Sequence, residues 1–240
     1  MHGRIEHQGK AGHQCGGGTG AETGLYRSCD EFPVSLPMTF SYNPLLNQVT
    51  GPEFTAALNG AADAWNQPFG VGIPSPFGTV LTIGGSTTKG AAKDGTNVVS
   101  WGNPADCGLP GVVAVACIRY ASNNPATHEI VEVDIILNYD ETWRQATGLD
   151  QLMGTATGNA ALAGPSANWL DVQSALAHEF GHALGLEHVG HGSSVPNFGD
   201  LTDLGKHMQT MYPVDFRGST AKRTIELGDI LGLNYVYENT

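Results

Sequence analysis

The sequence predicts an α+β fold, because short runs with strand character occur beside three segments with helical periodicity. The strand-like runs alternate in polarity or are apolar and β-branched, and they lie at 34–42, 79–83, 97–101, 112–120 and 129–138. The helical segments begin near residues 50, 168 and 224. A chain of 240 residues can bury a sizeable core, so we expect one main domain.

The residue pattern of three strand-like runs predicts which of their faces are buried. Val34 to Tyr42 places Met38 and Phe40 on one face, as a first strand would. Val112 to Tyr120 is largely apolar and predicts a buried strand. In Glu129 to Asn138, acidic residues alternate with apolar ones, which is typical of a half-exposed strand. We therefore expect 129–138 at an edge of the sheet.

Capping residues indicate where the helices begin. Thr50 and Glu53 have the spacing of a capping box, and the apolar residues that follow at helical intervals are Phe54, Leu58, Ala61, Ala62 and Trp65. Either Asn168 or Asp171 can cap the second helix. The third segment, Thr224 to Tyr237, contains two glycines that each weaken a helix by about 1 kcal/mol, so tertiary packing must stabilise it.

The charge of the chain limits its partners. Eleven Lys plus Arg against 23 Asp plus Glu give a net charge of −12. Nucleic acid and anionic membranes both need a basic face, so we expect neither as a partner. No apolar run approaches the roughly 20 residues of a membrane span, and the N-terminal residues lack the apolar core of a signal peptide. We expect a monomer, and we expect any export signal to be absent from this sequence.

Cysteine usage indicates the compartment. Four cysteines permit three fully paired connectivities, and the sequence does not choose among them. We favour the local pairs, Cys15 with Cys29 and Cys107 with Cys117. An even count with few lysines is typical of an oxidising, extracellular setting, so we expect a secreted protein.

Two segments lack periodicity. Residues 1–32 are rich in Gly and His, and they predict a poorly ordered leader, tag remnant or pro-segment remnant. Gly148 to Ala167 is a long loop of small residues, which is either a surface excursion or a functional loop.

The residues that carry chemistry are concentrated in 178–188, which reads HEFGHALGLEH. His178 and His182 are four residues apart, so on a helix both imidazoles project from one face and can bind the same metal ion. Gly185 can take the left-handed conformation that ends a helix, and the turn lets His188 supply a third nitrogen. Three neutral imidazoles leave a tetrahedral zinc with one open position, which indicates a catalytic site.

Glu179 adjoins the first ligand and would lie beside a zinc-bound water, where it can act as general base. The alternative is an ordinary amphipathic core helix, in which the histidines are satisfied polar groups. Five fixed residues at the full spacing rarely arise by chance, which disfavours that alternative.

The helix HEFGHALGLEH resembles the active-site helix of the matrixins, a family within the metzincin clan of zinc endopeptidases. The HExxHxxGxxH pattern followed by a Met-turn is the signature of this group. The resemblance implies that His178, His182 and His188 bind one catalytic zinc. It also implies that Glu179 is the general base.

Met211-Tyr212-Pro213 resembles the matrixin Met-turn. The resemblance implies that Met211 lies beneath the zinc as a hydrophobic floor, whereas Met208 lacks the following Tyr-Pro and is the weaker candidate. The residues that would form a wall of the pocket for the side chain after the scissile bond are Tyr212, Pro213, Val214 and Asp215.

The similarity extends over roughly 33–240 and implies a metzincin fold. In that fold a twisted five-stranded mixed sheet and two helices form an upper lobe, here 33–188. A smaller, loop-rich lower lobe with one C-terminal helix follows, here 189–240. The strand at 129–138 would be the edge to which an extended peptide substrate adds.

Several positions depart from the matrixin pattern. Val189 stands where Ser is usual and Asp215 where Tyr is usual, so the resemblance does not determine the shape of the pocket. Ile136 replaces a histidine that binds a structural zinc, so we expect no second zinc. Asp134 and Glu141 are candidate calcium ligands, and the alternative is that they are solvated acidic residues at a strand end.

Cys29 has a second interpretation. Arg27-Ser28-Cys29-Asp30 faintly resembles the latency motif in which a pro-segment thiolate binds the catalytic zinc. A disulfide from Cys29 to Cys15 explains the same cysteine with fewer assumptions.

The sequence therefore predicts a secreted zinc endopeptidase that cleaves protein or peptide substrates through a water activated by Glu179. Two alternatives stay open. One is a catalytically degenerate zinc-binding module that binds partner proteins. The other is a metallohydrolase that acts on small molecules in a closed pocket.

Overall fold

The computed structural model describes residues 2–4, 27–28, 36–43, 48–66, 81–86, 90–121, 129–146, 168–188 and 209–238. The α-helices in these ranges are α1 (Gly51–Asn66), α2 (Val172–Ala183) and α3 (Leu227–Glu238). The strands are β1 (His2–Arg4), β2 (Arg27–Ser28), β3 (Met38–Tyr42), β4 (Leu81–Ser86), β5 (Val98–Gly102), β6 (Ala114–Tyr120), β7 (Ile130–Asn138), β8 (Trp143–Arg144), β9 (Leu170–Asp171), β10 (Leu186–Glu187) and β11 (Val214–Phe216). Short 3-10 helices lie at Pro104–Cys107 and Ala221–Arg223.

Five of the strands form one mixed sheet in the order β4-β3-β5-β7-β6. The pairs β4–β3, β3–β5 and β5–β7 are parallel, whereas β6 runs antiparallel to β7. The sheet with its packed helices confirms the predicted α+β class, and the five predicted strands are all present with ends shifted by a few residues.

The prediction that 129–138 forms an edge strand is wrong. Strand β7 lies between β5 and β6, and the edge strands of this sheet are β4 and β6. The alternation has another cause, because Glu132 and Asp134 point to the outer face of the sheet and are buried there. The backbone N–H groups of Gly95 and Val98 donate to these two carboxylates at 2.5 Å and 3.1 Å. Buried carboxylates with backbone donors therefore produced the pattern of a half-exposed strand.

Helix α1 begins at the predicted capping box. The Thr50 backbone N–H donates to a Glu53 carboxylate oxygen at 2.9 Å, and the Glu53 N–H donates to the Thr50 hydroxyl at 3.4 Å. The five apolar residues predicted for its inner face, Phe54, Leu58, Ala61, Ala62 and Trp65, are all buried. This face packs against the sheet and α2, and the Trp65 indole N–H donates to the Ala177 carbonyl at 2.8 Å.

Asp171 is the residue that caps α2. Its carboxylate accepts a hydrogen bond from the Ser174 N–H at 2.9 Å, as the N-cap of a helix does. The same carboxylate forms a buried ion pair with Arg223, with Nη2 at 2.5 Å from Oδ1. This ion pair therefore links the start of α2 to the C-terminal part of the chain.

The outer face of the sheet carries a disulfide between Cys107 and Cys117. Its sulfurs pack with Val112, Val115 and Ile136 in a small apolar cluster. The predicted pair Cys107 with Cys117 is thus confirmed, while Cys15 and Cys29 lie outside the described residues.

Two short strands near the N-terminus pair with strands that follow α2 in the chain. Strand β1 is antiparallel to β11, with Gly3 opposite Asp215. Strand β2 is antiparallel to β10, with Arg27 opposite Glu187. The remainder of 1–32 and the loop 148–167 lie outside the described residues. Among the described helices, none is long and apolar enough to cross a membrane.

Candidate metal centre

Three histidine side chains converge on one point. The His178 Nε2 lies 3.1 Å from that of His182 and 3.0 Å from that of His188, and the third separation is 3.1 Å. His178 and His182 lie one turn apart on α2, and both are fully buried. The spacing of the sequence therefore leads to the cluster that it predicted.

Gly185 allows the chain to bring in the third histidine. Helix α2 ends at Ala183, and Gly185 has a φ of 91°, which is the left-handed region that an L side chain rarely adopts. The Gly185 N–H donates to the His182 carbonyl at 3.0 Å, so the turn is closed by a backbone hydrogen bond. The chain then reverses into β10 and reaches His188.

Two backbone carbonyls orient the ligand imidazoles. The His178 Nδ1–H donates to the Thr210 carbonyl at 2.6 Å, and the His182 Nδ1–H donates to the Leu186 carbonyl at 2.7 Å. An imidazole that carries its proton on Nδ1 presents a lone pair on Nε2. Both rings are therefore held in the tautomer that binds a metal ion.

The donor set fits zinc. Tetrahedral zinc with Zn–N bonds of about 2.0–2.1 Å holds its ligand nitrogens about 3.3 Å apart, close to the 3.0–3.1 Å observed. Three imidazoles without a fourth protein ligand are also typical of zinc sites that keep one position open. Within the described part of the chain, these histidines form the cluster that can hold a metal ion.

Glu179 lies on α2 next to the first ligand and is fully buried. Burial raises the pKa of its carboxyl well above the usual range, while the Lys222 ammonium and the Ala116 N–H on β6 oppose this increase. Neither carboxylate oxygen accepts a hydrogen bond of normal length from the described residues.

Met211 packs against the helix between the metal ligands. A side chain at Gly181 would collide with the Met211 sulfur and with the Trp65 ring, so one of these groups would have to shift. Asp229 on α3 holds the turn, because its carboxylate accepts hydrogen bonds from Thr210 N at 2.9 Å and Met211 N at 3.1 Å. Burial raises the pKa of Asp229 to about 6, and these backbone donors oppose the increase.

The predicted pocket wall follows directly after Met211. Tyr212, Pro213 and Asp215 are buried and Val214 is half-buried, with Val214 and Asp215 in β11. Met208 and Val189 lie outside the described residues.

Lys222 is a site residue that sequence reasoning missed. Its ammonium is buried, donates to the Tyr212 carbonyl, and lies 3.4 Å from the His178 Nδ1. Burial lowers its pKa to about 8, while the carboxylates of Asp215, Glu179 and Asp229 oppose the decrease. The sequence does not predict that Lys222 lies beside His178, because the lysine is in an aperiodic segment and 44 residues separate the two.

The two candidate calcium ligands are not brought together. Asp134 lies within β7, and the four residues from there to Asn138 extend about 13 Å at the usual strand rise. Glu141 follows that strand and pairs with Arg217, with Nη2 at 2.5 Å from Oε2. Calcium binding by either carboxylate stays a prediction.

The site has the features of a metzincin site. A mixed sheet supports a helix with two histidines, and a third histidine follows after a glycine turn. The family model described as matrixin matches residues 120–199, one third of the 240-residue chain. The match includes α2 and all three histidines and confirms the resemblance to the matrixins. Together with the three-histidine site, it supports a zinc metalloprotease. No curated protein matches the chain significantly.

Proposed function

We propose that this protein is a secreted zinc-dependent endopeptidase that hydrolyses peptide bonds of protein substrates. The observation that carries the proposal is the convergence of three Nε2 atoms within 3.1 Å beside the buried carboxyl of Glu179. The disulfide between Cys107 and Cys117 supports an oxidising, extracellular location. We assign the catalytic domain to 33–240, with 33–188 as upper lobe and 189–240 as lower lobe, and 1–32 as a leader or pro-segment remnant.

His178, His182 and His188 would hold the zinc. When bound, zinc supplies a water of lowered pKa and polarises the substrate carbonyl. Glu179 takes the proton of the attacking water and passes it to the leaving amine, which is the role of a general base followed by that of a general acid. No described residue donates a hydrogen bond of normal length to its carboxylate oxygens, which supports this role.

Strand β6 is the proposed docking edge for the substrate backbone. It is an edge strand of the sheet, and its Ala116 N–H lies close enough to Glu179 to affect the pKa of that carboxyl. An extended peptide that adds to β6 would therefore lie beside the metal centre. Met211 would form the hydrophobic floor, and Tyr212 to Asp215 the wall of the neighbouring pocket.

The decisive experiment combines metal analysis with proteolysis. Purified protein should contain about one zinc per chain and cleave casein or a quenched fluorescent peptide, and chelation should abolish cleavage. Glu179→Ala should retain the zinc and lower kcat by at least about 100-fold. Glu129→Ala, which alters an exposed glutamate before β7, is the matched control and should retain full activity.

Bound zinc without cleavage of any protein or peptide would refute the protease and favour a zinc-binding module for partner proteins. The presence of Glu179 disfavours that module, because a site that only binds metal has no use for a buried carboxyl without hydrogen-bond partners beside the ligands.

A further inference from the structure

The C-terminal helix α3 packs against the segment that brings in the third histidine. In this region it contacts β10 and β2. Ile230, Leu233 and Tyr237 recur at helical intervals, and all three pack on the main core, which also contains Leu184 and Leu186. One face of α3 therefore lies against the chain that leads out of α2.

The hydroxyl of Tyr237 holds the end of α2. It donates to the carbonyl of Leu184, the C-cap residue, at 3.1 Å, although 53 residues separate the two in the chain. The last carbonyls of a helix have no partner within the helix, so they need donors from elsewhere. The backbone N–H groups of Leu184 and Gly185 satisfy the carbonyls of residues 180–182. Tyr237 supplies a donor for the carbonyl that follows.

The turn after Leu184 carries two parts of the metal centre. The Leu186 carbonyl accepts the His182 Nδ1–H at 2.7 Å and so fixes the tautomer of that ligand. His188 follows two residues later, and its Nε2 lies 3.0 Å and 3.1 Å from those of the other two histidines. A displacement of this turn would therefore move both an orienting carbonyl and a ligand.

Gly185 makes the turn depend on contacts with other elements. Glycine adopts its φ of 91° easily but adopts many other conformations as well, so its backbone preference alone does not fix the turn. The peptide group between Leu184 and Gly185 is planar, and it is held at both of its polar atoms. Its N–H donates to the His182 carbonyl at 3.0 Å, and its carbonyl accepts from Tyr237 at 3.1 Å.

We propose that Tyr237 is a positioning residue for the zinc ligands. Its hydroxyl fixes the peptide group before Gly185, and the turn that follows holds both His182 and His188. This inference rests on the proposed function, of which it uses the zinc site alone. Asp229 near the start of α3 holds the Met-turn, so the helix supports the metal centre with both of its ends.

Tyr237→Phe tests the proposal, because it removes the hydroxyl and keeps the ring. Partners that orient metal ligands typically contribute about 10- to 100-fold to metal affinity, and Tyr237 acts through one further contact, so zinc should bind about 5- to 10-fold more weakly. Competition with a chromophoric chelator measures the dissociation constant. Equal zinc affinity in parent and variant would overturn the inference.

Cobalt in place of zinc reports the geometry of the site. Tetrahedral Co²⁺ absorbs visible light, and the positions of its bands depend on the arrangement of the ligands. Tyr237→Phe should shift these bands, whereas a loss of stability alone leaves the spectrum of the folded protein unchanged. An identical cobalt spectrum in parent and variant would also overturn the inference.

Two controls separate positioning from stability. Tyr139→Phe makes the same chemical change at an exposed tyrosine and should alter neither the affinity nor the spectrum. Gln48→Ala removes a bond to the Tyr139 carbonyl at 2.5 Å and another from the Trp143 N–H at 3.3 Å, so it should lower the Tm of the metal-free protein. Its zinc affinity should equal that of the parent. Weaker zinc binding in Gln48→Ala would attribute the loss in Tyr237→Phe to stability and overturn the inference.

A cleavage assay on the same proteins distinguishes this inference from the proposed function. Zinc binding without cleavage of any peptide, together with weaker binding in Tyr237→Phe, would refute the protease and retain the role of Tyr237. Cleavage by a parent whose zinc affinity equals that of the variant would do the reverse. A parent that binds no zinc would overturn both.

Discussion

Gly181 on α2 packs closely against the Met211 side chain. An added methyl group would meet the Met211 sulfur and the Trp65 ring. Gly181→Ala should therefore destabilise the protein by about 1–3 kcal/mol through overpacking, although alanine favours a helix by about 1 kcal/mol. Urea unfolding measures the loss, and zinc affinity should fall with it because the helix carries two ligands.

Gly51→Ala is the matched control for this substitution. A methyl group at Gly51 meets nothing within 4 Å, so the variant should be as stable as the parent. Equal stability of both alanine variants would show that Met211 adjusts without cost.

Asp134 makes stability depend on pH. Burial, together with the Glu132 and Asp94 carboxylates, raises its pKa from 3.8 to about 7. The unfolded chain ionises at lower pH than the folded protein, so stability should decrease as pH rises from about 4 to about 7. Asp134→Asn should remove part of this slope, which unfolding measurements across that pH range would reveal. An identical slope in parent and variant would contradict the assignment.

Calcium binding at Asp134 stays a prediction. Glu132 Oε1 and Asp134 Oδ2 are buried without hydrogen-bond partners among the described residues, and oxygen ligands suit calcium. Calcium should therefore raise the Tm of the parent at neutral pH more than magnesium does. Asp134→Asn should abolish the increase, and an equal increase in both proteins would place the ion elsewhere.

At the scale of elements, the disulfide joins the 3-10 helix Pro104–Cys107 to β6. It closes a loop of 10 residues, for which chain entropy predicts a stabilisation of about 2–3 kcal/mol. Replacing Cys107 and Cys117 with alanine should lower the free energy of unfolding by that amount. Since β6 is the proposed docking edge, KM for peptides should rise as well. A variant as stable as the parent would show that the local packing alone holds the loop.

The elements also show what local sequence predicts well. The capping box at Thr50 and Glu53 and the left-handed Gly185 were both predicted, because each depends on residues within a few positions of one another. The place of β7 in the sheet was not, since strand order depends on partners far along the chain. The sequence does not show whether Glu132 is buried or exposed. In the structure it is buried, and it accepts a hydrogen bond from the Gly95 N–H.

At the scale of the whole molecule, the ion pair of Asp171 and Arg223 joins the metal helix to the C-terminal part. The Asp171 side chain is fully buried and that of Arg223 is 8% exposed, so removing one partner leaves a buried charge. Arg223→Met should destabilise the protein by about 3–5 kcal/mol. It should also weaken zinc binding, because the neighbouring Lys222 contacts His178.

Arg217→Met is the control at this scale. Arg217 and Glu141 form an ion pair with 17% and 23% exposure, so its loss should cost about 1 kcal/mol or less. Calorimetric unfolding of both variants measures the difference. Similar losses would mean that burial does not strengthen the pair at Asp171.

The grouping of the three histidines could be predicted from the sequence. Three histidines, a glutamate and a glycine at fixed spacing suffice, because the helical repeat and one left-handed turn bring His178, His182 and His188 together within a segment of eleven residues. The positions of these histidines relative to one another depend only on this segment and not on residues far along the chain.

The tertiary structure alone decided what surrounds that centre. Lys222 behind His178, Asp229 beneath Met211 and the edge position of β6 all depend on contacts across long stretches of chain. Side-chain burial and charge at these places result from packing, which neither periodicity nor motif spacing records. The three histidines could therefore be predicted from the sequence, whereas the buried groups that pack around them required the fold.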